Sequence, residues 1–161
     1  MDTPGMNGSD MRAKAEAKMG ALEQWMAPIF AKFPHLPQSA REGIVKISPW
    51  LALIFGILGL LAISSIGGFG LLLSLSFVGS ALPMFIAVAI GLVACILELM
   101  AYSPLTRREK KGWNFLFYGA VLTFVGNILQ FFFTGYGDFG SIIGAIIGFW
   151  LLFEIREFYR A

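Results

Sequence analysis

Ile47-Ser-Pro-Trp-Leu-Ala-Leu-Ile-Phe-Gly56 opens an unbroken run to Leu97, 51 residues without a Lys, Arg, Asp, Glu or His. As one helix it would reach about 76 Å at roughly 1.5 Å per residue, against a hydrocarbon core about 30 Å thick. It must fold back. Two transmembrane helices joined by an uncharged outer turn give every backbone N–H and C=O an internal partner. Composition points the same way, with 57% apolar and 14% charged residues where a soluble domain carries about 25% charged.

Working outward, Ser48-Pro49-Trp50 reads as a helix start, with Ser as N-cap, Pro at the first helical position and Trp at the membrane interface. The first span is then about 49–66. Gly67-Gly-Phe-Gly70 and the run 71–80 form an outer connection that dips into the interface or extends a helix. Pro83 opens the second span, about 82–102, and Ser103-Pro104 ends it, because proline disfavours helical geometry in the residue before it. Thr106-Arg-Arg-Glu109 matches a capping box leading through Lys110 and Lys111 into a third span, about 113–134, with Trp113 at the membrane surface. After the glycine-rich turn Gly135–Gly140 a fourth span covers about 139–158. Its uncharged core is short, and Glu154 must snorkel or find a partner.

Upstream, residues 1–10 read as a disordered tail without the features of a secretory signal. Residues 11–47 form a cytoplasmic or interfacial segment, ahead of a membrane domain over 48–161. Ala15, Met19, Leu22, Met26, Ile29 and Phe33 recur at helical spacing, with Arg12, Lys14, Glu16, Lys18 and Glu23 between them. That is an amphipathic helix, suited to packing on the protein's own helix ends or to lying among headgroups with Trp25 and Phe30 as anchors. Pro28 should end or kink it near Ala27. Ser39-Ala-Arg-Glu42 is a further capping box, predicting a short helix from Ala40. His35, between two prolines, reads as a solvated loop residue.

Orientation follows from the cations. Six precede the first span (Arg12, Lys14, Lys18, Lys32, Arg41, Lys46), four lie between spans two and three (Arg107, Arg108, Lys110, Lys111) and two follow span four (Arg156, Arg160), which accounts for all 12. With an even number of spans, the positive-inside rule puts both termini and the basic loop in the cytoplasm. The fold class is therefore all-α integral membrane, four transmembrane helices as two hairpins after an amphipathic helix. The halves also echo each other, each closing on a carboxylate near the inner end, Glu98 and Glu154.

Chemistry is sparse. No phosphate-binding loop, paired His, Cys pair or nucleophile motif is present, so no catalytic residue, cofactor or metal site is expected. The single Cys95 excludes an internal disulfide and reads as a small apolar helix residue. Gly56 and Gly59, and Gly140, Gly144 and Gly148, read as close helix packing. Four polar residues within the spans stand out as structural or functional candidates: Glu98, Asn127, Gln130 and Glu154. An ion pair from Glu98 to a cation of the 107–111 loop would fasten the hairpins, whereas Glu98 coupled to Asn127 and Gln130 would suit a small oligomeric transporter.

The expected partners are the bilayer, anionic headgroups met by Arg107, Arg108, Lys110 and Lys111, and a second copy or another membrane protein. Nucleic acid is not among them. A non-enzymatic scaffold or assembly partner fits these features first.

Phe33-Pro-His-Leu-Pro37, Ile44-Val-Lys-Ile-Ser-Pro-Trp50, Lys111-Gly-Trp113 and Ile147-Gly-Phe-Trp-Leu-Leu-Phe-Glu-Ile155 together resemble a group of small four-helix bacterial inner-membrane proteins with no assigned activity. The resemblance implies a bacterial cytoplasmic membrane location and carries over no catalytic residue.

Overall fold

The structure is a computed structural model that describes residues 8–67, 81–134 and 139–159. Residues 1–35 and 36–161 form two compact units. The smaller contains α1, Gly8–Phe30. It begins inside the segment read as a tail and runs through Pro28, closing with the Ala31 N–H on the Ala27 carbonyl at 3.0 Å. The break expected at Ala27 thus falls three residues later. The rings of Phe30 and Phe33 then meet at 5.6 Å.

The larger unit holds α2 (Gln38–Ala62, continued by a π-helical turn Ile63–Gly67), α3 (Ala81–Thr106), α4 (Lys110–Thr134), α5 (Phe139–Ile155) and a 3-10 turn Arg156–Phe158. Among the described residues three segments are long and apolar enough to cross a membrane: Gln38–Ser65, Phe85–Thr106 and Lys110–Leu129. The fourth, α5, has 17 residues, about 25 Å at roughly 1.5 Å per residue, short of the hydrocarbon thickness. The outer connections at 68–80 and 135–138 lie outside the described residues.

Several expected helix boundaries are corrected. Ser39–Glu42 is not a capping box: α2 starts from Pro37, with no side-chain cap, and the Gln38 side-chain amide donates to Glu42 instead. Ser48-Pro49 does not start a helix but lies inside α2. Proline there removes one donor and leaves the Val45 carbonyl without its i+4 partner. The Ser48 hydroxyl donates to that carbonyl at 2.9 Å, and the Tyr159 hydroxyl approaches it at 3.5 Å. Ser103-Pro104 likewise does not stop α3, which ends at Thr106; the Thr106 hydroxyl donates back to the Tyr102 carbonyl and caps nothing.

Packing is built on small residues. A Cβ on Gly56 would lie 2.8 Å from Leu99, one on Gly59 2.5 Å from Cys95 Sγ, and one on Gly91 3.1 Å from Ile63, so α2 and α3 run antiparallel in close contact. On α4, Gly112, Gly119 and Gly126 face Leu105, Ala94 and Ile90 in turn. Their seven-residue spacing keeps one seam toward α3, as in left-handed helix pairs. The most extensive packing is this α3–α4 pair, across the basic loop, rather than within two separate hairpins. A Cβ on Gly144 or Gly148 would have no neighbour within 4 Å among the described residues, so these two glycines do not line a packing seam there.

Candidate functional site

Polar contacts gather at one end of the larger unit, where α2 and α4 begin and α3 and α5 finish. Glu154, 6% exposed, accepts the backbone N–H of Leu36 at 2.9 Å. Arg41, one turn into α2, places Nε 3.6 Å from the same carboxylate and Nη1 2.5 Å from Glu157, while its guanidinium lies over the Phe158 ring at 5.6 Å. The first distance is an ion pair without a hydrogen bond and the second a charge-assisted hydrogen bond. Of the two outcomes open to it, snorkelling or pairing, Glu154 takes partners.

Below this pair, Ser48 Oγ and the Tyr159 hydroxyl are 2.7 Å apart. Burial pushes the Tyr159 phenol above its ordinary value of 10.0, partly offset by the Ser48 hydrogen bond and the positive charge of Arg108. Beside them, Trp113 stacks on Phe117 at 5.2 Å, meets Phe153 edge-on at 5.8 Å, and donates its indole N–H to the Leu152 carbonyl at 2.7 Å. Trp113 is 1% exposed, so it is a core residue and not the interfacial anchor expected from its place after Lys110 and Lys111. Trp50 is 58% exposed and edge-on to Tyr102 at 5.7 Å. Trp25 lies in the smaller unit.

The basic turn has a specific backbone. The Arg108 N–H donates to the Leu105 carbonyl and the Glu109 N–H to the Pro104 carbonyl, with Arg108 at φ 55. This is the Schellman arrangement, in which the left-handed residue is usually glycine. The expected Thr106–Glu109 capping box is replaced by it. Glu109 lies 3.9 Å from Arg107, and Lys111 sits 5.7 Å from the centre of the Phe115 ring.

No protein-family model, curated protein or solved structure matches this chain.

The other candidates are not drawn into this cluster. Glu98 lies against Gly119, and among the described residues no Lys or Arg nitrogen comes within 4.0 Å of it, so the expected pairing with the 107–111 cations does not form. Asn127 is eight residues beyond Gly119 on α4, about 12 Å along the axis, so it stands about two turns from Glu98. The Gln130 side chain is outside the described residues. Among the described residues no group of three or more His, Cys, Asp or Glu is placed to hold a metal.

Sequence reasoning passed over Arg41, Ser48, Tyr159 and the Leu36 N–H as members of one cluster. The available signal was Pro49, whose missing N–H obliges the Val45 carbonyl to find another donor. What the arrangement does chemically is hold helix ends together through buried polar contacts while leaving Arg107, Lys110 and Lys111 exposed.

Proposed function

We propose that this chain is a non-enzymatic membrane component, a scaffold or assembly partner of the bacterial inner membrane with both termini in the cytoplasm. The observation that carries the reading is the exposed basic turn of Arg107, Arg108, Lys110 and Lys111 at one end of an apolar helical unit, where Arg156 also lies over the Trp113 ring at 5.8 Å. Each cation near an anionic leaflet contributes up to about 1 kcal/mol. The amphipathic α1 and the basic turn are the surfaces offered to headgroups and to a partner. The alternative, an oligomeric transporter built on Glu98 with Asn127 and Gln130, draws less support, because Glu98 and Asn127 stand about two turns apart.

Purification of the full chain in mild detergent tests this reading. A membrane-protein partner at fixed stoichiometry, lost when Arg107, Arg108, Lys110 and Lys111 are changed to Gln, is expected. A lone homodimer with pH-gradient-driven flux in vesicles, abolished by Glu98→Gln, would replace the scaffold with the transporter. Orientation is tested separately in a Cys95→Ala background. A cysteine at Gly68 or Gly137 should be labelled from outside the cell, and labelling only from the cytoplasmic side would overturn the topology.

A further inference from the structure

The chain passes from the smaller unit into the larger at Leu36, just ahead of α2. At that residue the backbone N–H is held by a carboxylate 118 positions away, Glu154 near the end of α5. Helix starts normally satisfy their exposed N–H groups locally, through a side chain at the N-cap. Here Pro37 occupies that position and offers none. Leu36 lies one residue ahead of that N-cap, and the carboxylate that accepts its N–H is buried, with its side chain 4% exposed and its charge balanced by Arg41, whose guanidinium reaches Glu157 as well.

We propose that Glu154, Arg41 and the Leu36 N–H form a latch that fixes the exit point of the cytoplasmic segment, so that the C-terminal end of the chain controls how freely that segment reaches its target surface. The proposal rests on the reading of residues 8–30 as a surface-binding arm. Three features make this a latch and not ordinary packing. It joins the two ends of the membrane unit, it holds a single backbone N–H in a segment bounded by Pro34 and Pro37, and its strength depends on one buried charge. A hydrogen bond to an ionised acceptor is about twice as strong as a neutral one, so loss of the charge weakens the latch without removing the acceptor oxygen. Glu157, with its side chain 55% exposed, supports Arg41 from the solvent side and is not the element that closes the latch.

The test is hydrogen exchange on the full chain in zwitterionic nanodiscs, with tryptic cleavage after Lys32 as a second readout. Glu154→Ala should raise Leu36 amide exchange at least about tenfold and speed cleavage after Lys32. Glu154→Gln should give a smaller rise, and Glu157→Gln close to none. Amides of α3 and α4 should keep their protection in all three. If Glu154→Ala loses protection throughout, Glu154→Gln decides the matter. Leu36 exchange unchanged in Glu154→Gln, or raised as much by Glu157→Gln, overturns the latch. Repeating the comparison with phosphatidylglycerol in the discs separates the two readings: the opened variant should then be protected at Lys14 and Lys18. A latch that opens without any lipid effect leaves the latch standing and removes the arm's surface-binding role.

Discussion

The Trp113 indole N–H donates to the Leu152 carbonyl at 2.7 Å, joining the start of α4 to the last turn of α5. The bond lies in the last turn of α5, which ends at Ile155. It gives the buried indole N–H an acceptor and fixes the orientation of a fully buried ring. The Trp150 indole nitrogen, in contrast, is buried with no hydrogen-bond partner among the described residues. Trp113→Phe should lower stability by about 1–3 kcal/mol, and Trp150→Phe should be neutral or slightly stabilising. Thermal unfolding of both variants in one detergent checks the contrast, and equal losses would show that ring volume, not hydrogen bonding, decides.

Glycine positions on α4 and α5 should respond oppositely to alanine. A Cβ on Gly112 would fall 2.5 Å from the Leu105 nitrogen and 2.9 Å from the Pro104 carbonyl carbon, both backbone atoms that cannot swing away. Gly112→Ala should therefore separate α3 from α4 and cost at least about 1–3 kcal/mol. Gly144 has open space, and Gly144→Ala should stabilise by up to about 1 kcal/mol through helix propensity. Unfolding midpoints of the two variants give the answer.

Arg108 holds the left-handed position of the turn, at φ 55, where a side chain costs about 1 kcal/mol relative to glycine. Arg108→Gly should raise thermal stability by roughly that amount while weakening flotation of the protein with anionic vesicles at low salt. A gain in stability with unchanged flotation would mean that the arginine serves the fold's electrostatics, for example toward Tyr159, and not the membrane surface.

Double-mutant cycles distinguish a real ion pair from an expected one. Glu98 has no cation beside it among the described residues, so Glu98→Gln and Lys111→Met should be additive within about 0.5 kcal/mol. Arg41 and Glu154 share a buried contact. Arg41→Met with Glu154→Gln should show a coupling of about 0.5–3 kcal/mol, most of it the cost of leaving a buried charge unpaired. Additivity at Arg41 and Glu154 would place their worth in packing alone.

Tyr159 supplies a pH dependence with a definite sign. Burial raises its folded-state value above the ordinary 10.0, so the neutral phenol is favoured by folding. Its contribution is fully present below about pH 10 and is lost as pH rises through the raised folded value. Tyr159→Phe should cost about 0.5–1.5 kcal/mol at neutral pH, from the Ser48 hydrogen bond. The gap between wild type and variant should close as pH rises above about 10, measured as the difference in unfolding temperature so that other titrating groups cancel.

Much of this was legible in the chain because the governing constraints are local. Fifty-one uncharged residues from Ile47 to Leu97 can hydrogen-bond their backbone in an apolar solvent only as helices, and helical spacing alone marks Gly56 and Gly59 as a contact face. The sequence by itself also required that Glu154 either snorkel or take a partner, since a carboxylate so placed is costly when bare. Which partner it takes was decided only by the tertiary structure, because Leu36 and Arg41 are more than a hundred residues away. Pro49 and Pro104 followed the same rule. Each removes a donor, and whether a helix breaks there depends on whether another group satisfies the freed carbonyl. For Val45 those groups are the hydroxyls of Ser48 and Tyr159, the second brought in by the end of the chain. Trp113 is the plainest case, a residue whose neighbours Lys110 and Lys111 signal a membrane surface but whose ring is buried, because α5 brings the Phe153 ring and the Leu152 carbonyl against it.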